Sequence, residues 1–192
     1  MHFYDKMKKD LKLGDSMIHP LKHFKTITKH RHKVMIYCFR CGLYKQGLLH
    51  DLSKYGLTEF LSGARNYAGT YSPHHNERAK KGYSEAWLHH KGRNKHHLEY
   101  WIDIDNEKHI YLPVDVPNRY IAESICDRIA ASKVYRGKDF TPQDVLDYFN
   151  HEGNAIPMTE NTRNKMIELL NYYKENGEKK LFKYIKENYR GK

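Results

Sequence analysis

Apolar residues recur at three- and four-residue spacing along most of the chain, the period of amphipathic helices. Ile18, Leu21, Phe24, Ile27, Val34, Cys38 and Cys41 predict one long helix over 17–44, with Gly42 placed to stop it. A short helix follows, carrying Leu48 and Leu49 on a buried face directly ahead of His50 and Asp51. Residues 57–67 predict another helix, with Phe60, Leu61 and Ala64 on one side. A loop over 68–73 leads into a helical stretch, 74–90, that gathers Ala79, Tyr83, Ala86, Trp87 and His90. The period changes once. In EYWIDIDNEKHIYLPV, residues 99–114, apolar positions alternate on either side of DNEK, which predicts a small hairpin. Pro117 suits the first turn of a helix running to Arg136, and Gly137 ends it. Thr141 and Asp144 open the next helix as N-cap and capping-box residue. A turn over 154–158 and two helices, 159–175 and 178–189, complete the chain. The expected fold class is mainly α, a helical bundle with one small β-hairpin, in a single domain over 1–192.

Composition narrows the partners. A length of 192 residues suits one domain, and 39% hydrophobic content, much of it in 16 Tyr and 7 Phe, is that of a folded chain. The formal net charge of +11 favours anionic partners, whether nucleotide, nucleic acid or acidic lipid. The basic residues are spread along the chain without a long block, which argues against a dedicated nucleic-acid tail. Three cysteines, Cys38, Cys41 and Cys126, are too few for a disulfide framework. Cys38 and Cys41 form a CxxC inside an apolar helical run with no second pair, so buried thiols are expected rather than a zinc site. The stretch MHFYDKMKKDLKLGD has no apolar core of a secretory signal, and no apolar run approaches a membrane span, so a cytoplasmic protein without a membrane partner is expected.

The chemistry lies in the histidines. They concentrate in KHRHKV (29–34), LLHDLSK (48–54) and WLHHKGRNKHH (87–97). One acidic residue, Asp127, sits among Ile125, Cys126, Ile129 and Ala130, where a carboxylate needs a cation. Imidazole nitrogen with carboxylate oxygen suits divalent Mn, Fe, Co, Ni or Zn, and helices around a bundle core can each contribute one ligand. His32 competes with His30 from another helix face. His89 pairs with His96, and His90 with His97, at seven-residue spacing. Lys54, Arg93, Asn94 and Lys95 are the candidate contacts for an anionic substrate, and Glu59 is a candidate general base. His19, His23, His74, His75, His109 and His151 are taken as surface or packing residues, and Trp87, Tyr100 and Trp101 as core rather than a base-stacking platform.

The order His30, His50-Asp51, Asp127 on separate helices resembles the HD-domain superfamily of metal-dependent phosphohydrolases. Lys54 matches the lysine frequent after the His-Asp step; Ser53 stands where that family often has glycine. The chain is also similar to a group of uncharacterised HD-like proteins with HDLSK, a His-rich HHKxxNxHH step and EYW. The resemblance covers roughly 20–135 and leaves 138–192 as accessory helices. It implies an HD-like bundle whose metal ligands are His30, His50, Asp51 and Asp127, with His90 and His97 for a second ion and His89 and His96 as their rivals. It further implies catalytic roles for Asp51 and Lys54, one or two divalent transition-metal ions, and hydrolysis of a nucleotide or other small phosphate ester by a metal-activated water. Two rival expectations are a di-iron oxygenase on the same scaffold and a non-catalytic nucleotide- or nucleic-acid-binding module.

Overall fold

The computed structural model describes residues 18–153 and 155–190; the leader expectation for the first fifteen residues lies outside them. Eight α-helices and one two-stranded hairpin make up the described residues. Helix α1 (Pro20–Arg40) starts on a proline, whose missing N–H costs nothing in a first turn, and is left through Gly42 at φ 74°. It buries His23, Ile27, His30, Val34, Tyr37 and Cys38, a stripe at i, i+3 and i+4. The expected face holds from Ile27 onward, with Val34, Cys38 and Cys41 buried, and fails in the first turns. Leu21 is 76% exposed, and Ile18 and Phe24 also face outward, because the stripe through His23 and His30 is the one that meets the site and the core.

Helix α2 (Tyr44–Leu49) corrects a second expectation. Leu48 and Leu49 are 52% and 54% exposed, so they do not anchor the helix in the core. Gly47 does that: a Cβ there would lie 3.0 Å from Cys38 Cβ and from Phe39 Cδ1, so only glycine lets α2 approach α1 this closely. A 3-10 turn, Leu52–Tyr55, then leads to α3 (Leu57–Arg65), on which Ala64 is buried and Leu61 exposed. The stretch read as one helix over 74–90 is two, α4 (Pro73–Lys81) and α5 (Glu85–Lys91). Gly82 at φ 80° ends the first, and Ser84 caps the second by accepting from Trp87 N–H at 3.0 Å. The break leaves Ala79 and Tyr83 exposed rather than on a shared inner face.

The hairpin pairs β1 (Ile102–Asp105) with β2 (Ile110–Pro113), Ile102 opposite Pro113 and Asp105 opposite Ile110. Asp105 Oδ1 accepts from the backbone N–H of Glu107 and of Lys108, which closes the turn. Helix α6 (Asn118–Arg136), capped by Pro117, packs on α1 and on α7 (Pro142–Gly153) and α8 (Glu160–Asn188). Thr141 donates to Asp144 at the start of α7, and Thr159 caps α8. Gly177, at φ 75°, breaks α8 into the two segments the periodicity predicts. The last helices are not accessory to packing. Met166, Leu169, Leu170, Tyr173, Leu181, Phe182 and Ile185 share one core with Val34, Cys38, Ile121, Ile125 and Ile129. No helix among the described residues is long and apolar enough to cross a membrane.

Candidate metal centre

Four separate elements meet beside α6. His30 comes from α1, His50 and Asp51 from the junction after α2, His90 from α5 with His96 and His97 just beyond it, and Asp127 from α6. Asp51 adopts a left-handed backbone, φ 53° and ψ 25°, a conformation uncommon outside glycine. That turn sets its carboxylate between two donor sets. Oδ2 lies 3.3 Å from His50 Nε2 and 3.6 Å from His30 Nε2, while Oδ1 lies 3.3 Å from His90 Nε2 and 3.5 Å from His96 Nε2. Asp127 Oδ1 closes the first set at 2.9 Å from His30 Nε2 and 3.5 Å from His50 Nε2.

Two overlapping groups therefore have donor atoms close enough to share an ion: His30, His50, Asp51 and Asp127, and Asp51, His90, His96 and His97. Nitrogen and oxygen ligands about 2.1 Å from one ion at tetrahedral angles stand about 3.4 Å apart, which is the spacing seen here. The fit shows in hydrogen bonding as well. Nε2 of His30, His50, His90, His96 and His97 and both oxygens of Asp51 are buried without a hydrogen bond of acceptable geometry. Each such atom costs about 1–3 kcal/mol if nothing meets it, against about 5–15 kcal/mol of stability for a whole domain. A bound cation removes that cost.

The far side of three of these imidazoles, His50, His90 and His96, is held by a carboxylate. Glu123 Oε1 is 3.0 Å from His50 Nδ1 and 3.3 Å from His96 Nδ1, one from each donor set. Glu59 Oε2 is 2.7 Å from His90 Nδ1, and its Oε1 is 2.6 Å from His89 Nδ1. An ionised carboxylate only accepts, so Nδ1 carries a proton, and Nε2 is the nitrogen left to offer its lone pair to a metal or to hold a second proton without one. Burial pushes the Glu59 and Glu123 carboxyls up, but hydrogen bonds from these histidines more than reverse it and both sit below their ordinary range. His50, Glu123 and His96 are themselves close enough to form a third donor group.

The electrostatics call for positive charge. Burial alone would lower His50, yet Asp51, Asp127 and Glu123 raise it well above its ordinary value. Burial would raise Asp51 and Asp127; for Asp51 the charges of His50 and Lys54, and for Asp127 the close approach of the His30 and His50 rings, hold them well below. Lys54 Nζ stands 2.6 Å from Asp51 Oδ2 and stays protonated, Asp51 and Asp127 outweighing its burial.

A family profile described as a family of unknown function (DUF5662) matches residues 19–172. The chain belongs to that family. The DUF5662 match spans every residue of both donor groups and reaches well into α8, beyond the stretch that the sequence resemblance covered. No curated protein and no solved structure matches the chain.

All six sequence-predicted ligands, His30, His50, Asp51, His90, His97 and Asp127, fall in the donor groups, and His96 joins them. His32 is exposed with Nδ1 on the Thr28 carbonyl, and His89 is turned onto Glu59. Glu59 holds imidazoles rather than standing free as a base. The expected phosphate contacts on the His-rich loop are corrected by the geometry. Arg93, Asn94 and Lys95 do not line the cavity of about 700 Å³ that opens on the site, whereas Lys54, His30, His97 and Asp127 do. Asn94 is a brace instead, donating to Ser53 Oγ at 3.0 Å and to the His90 carbonyl at 2.8 Å. Lys95 Nζ lies over the rings of Tyr100 and Tyr120, and Arg93 donates to the His89 carbonyl. Ser53, the departure from the glycine of the resembled motif, sits 3.2 Å from His90 Nδ1. Glu123 escaped sequence reasoning; a glutamate four residues before Asp127 in an apolar helix was the available signal. Cys38, Cys41 and Cys126 are buried free thiols, with 3.8 Å between the sulfurs of Cys41 and Cys126.

Proposed function

We propose that this protein is a metal-dependent phosphohydrolase of HD-domain type, acting on a small phosphate ester, foremost a nucleotide. The observation that carries the proposal is Asp51, whose two oxygens face two histidine groups, so that one carboxylate would serve both candidate donor groups. The chain order His30, His50-Asp51, His90/His96/His97, Asp127 supports it, as does the cavity opening beside Lys54. A divalent metal held by these residues would supply a lowered pKa for water and positive charge at the phosphoryl oxygens. The protein's part is positional. Asp51 and Asp127 hold charge, Glu59 and Glu123 hold imidazole tautomers, and Lys54 faces negative charge growing on the phosphoryl group. The water oxygen forms the new bond to phosphorus. The ester P–O bond breaks, its electron pair leaves with the alcohol oxygen, and a proton from the attacking water ends there.

The test compares metal content and p-nitrophenyl phosphate hydrolysis in wild type and in a folded His50→Ala/Asp51→Ala variant, after reloading with Mn, Co, Ni, Zn or Fe. One or two equivalents of metal, and turnover falling about 100-fold or more in the variant, are expected. Two equivalents of iron with oxygen uptake and no phosphate release would put the oxygenase in its place. No metal after reloading, with steeply salt-dependent binding of nucleotide or nucleic acid, would leave a binding module.

A further inference from the structure

The cavity extends away from the metal centre along two helix faces. On α6 its wall runs through Asp127, Ala131, Ser132, Tyr135 and Arg136, a stripe that begins at a metal ligand. At 1.5 Å per residue, Arg136 stands about 13 Å along the helix from Asp127. Helix α7 supplies another wall. Its Asp144, Asp147, Tyr148, His151 and Glu152 line the cavity, while Val145, Leu146 and Phe149 are buried in the core.

Charge is divided along this length. Lys54 and the metal ligands stand at one end. At the α7 end Arg136 is matched by Asp144 at 2.8 Å, and Arg128 NH1 faces Glu152 Oε2 at 3.8 Å. Tyr148 donates to Glu152 Oε1 at 2.5 Å, and Gln143 donates to Asp147 Oδ1 at 2.7 Å. Two arginines against three carboxylates leave this end acidic. The cavity opens on the candidate metal centre, since His30, His97 and Asp127 belong to both.

A phosphate drawn to the metal end sends the rest of its molecule toward α7. Carboxylates there accept hydrogen bonds from hydroxyl groups and repel further phosphates. We propose that the substrate carries one phosphate, as the monoester of an uncharged, hydroxyl-bearing alcohol of sugar or nucleoside type, and that Asp147 and Glu152 select it over di- and triphosphates. This rests on the phosphohydrolase reading only for placing the phosphate at the metal end.

The test uses the full metal-loaded chain with free Mn²⁺ in excess. Ribose 5-phosphate, adenosine 5′-monophosphate, adenosine 5′-triphosphate and inorganic phosphate are compared. Affinities come from inhibition of p-nitrophenyl phosphate hydrolysis where the protein turns it over, and from calorimetry where it does not. A monophosphate ester binding about tenfold or more tighter than the triphosphate is expected, with that ratio shrinking at least about fivefold in Asp147→Asn/Glu152→Gln. A triphosphate bound as tightly as the monophosphates overturns the inference. So does an unchanged ratio in a variant of wild-type metal content and Tm, or inorganic phosphate binding as tightly as both esters. If nothing is hydrolysed but calorimetry gives the expected ratios, the hydrolase reading fails and the selectivity stands.

Discussion

Glu123 does at the scale of one residue what no ligand does alone. Its Oε1 meets Nδ1 of His50 in one donor group and of His96 in the other, so a single carboxylate orients imidazoles on both sides of Asp51. Glu59 reaches His90 and His89 and so serves one group. Their removal has different consequences. If both donor groups take up an ion, Glu123→Gln is expected to weaken both binding steps by about 10–100-fold, while Glu59→Gln weakens one and leaves one equivalent tightly held. Titration calorimetry with Mn²⁺ or Zn²⁺ distinguishes two weakened steps from one; equal behaviour of the two variants would remove the distinction. The gathering of these side chains was legible in the residue types, since His50, Asp51 and Asp127 are costly to bury without a partner. The choice among neighbours was not. His96 entered because the tight loop after α5, braced by Asn94, brings it to Asp51, and His89 left because its place on α5 turns it onto Glu59.

Close approach of helices is what places these side chains. Helix α3 meets α1 at Gly63, where a Cβ would fall 2.2 Å from Nε2 of the buried His23 ring. Gly63→Ala is therefore expected to destabilise the fold by about 1–3 kcal/mol through overpacking. Denaturant unfolding measures it, and a change within about 0.5 kcal/mol would show that His23 has room to move. Helix positions were readable from periodicity except at the break after Gly82, as were Gly42, Gly137 and the Thr141–Asp144 cap. The burial of each face was less so. Helix α2 is short enough to pack through Gly47, leaving its leucines outside, and the core side of α1 is partly histidine, which a hydrophobicity pattern reads as surface.

Across the whole molecule, buried neutral histidines tie stability to pH. Burial, and then the charge of Lys54, lower the His23 pKa to about 4. The unfolded chain takes up this proton near pH 6.5, so between there and about 4 it binds more protons than the folded one. The stability His23 contributes is whole above pH 6.5 and is lost as pH falls toward 4. Unfolding free energies at pH 7, 5.5 and 4 should decline in wild type more steeply than in His23→Gln; parallel curves would mean that His23 is hydrated when folded.

The sequence by itself determined the class of this protein: helical periods with one change to alternation, a basic and aromatic composition, and His and Asp residues in settings that call for a metal. Those properties are local, set by residue type and spacing along a single element. Only the tertiary structure decided the rest. It set Asp51 between two histidine groups, brought Glu123 and Glu59 behind them, took Arg93, Asn94 and Lys95 out of the cavity, and made the polar face of α7 its acidic wall. The reason is physical: each of these facts depends on the distance between residues far apart in the chain, and the packing of one shared core sets those distances.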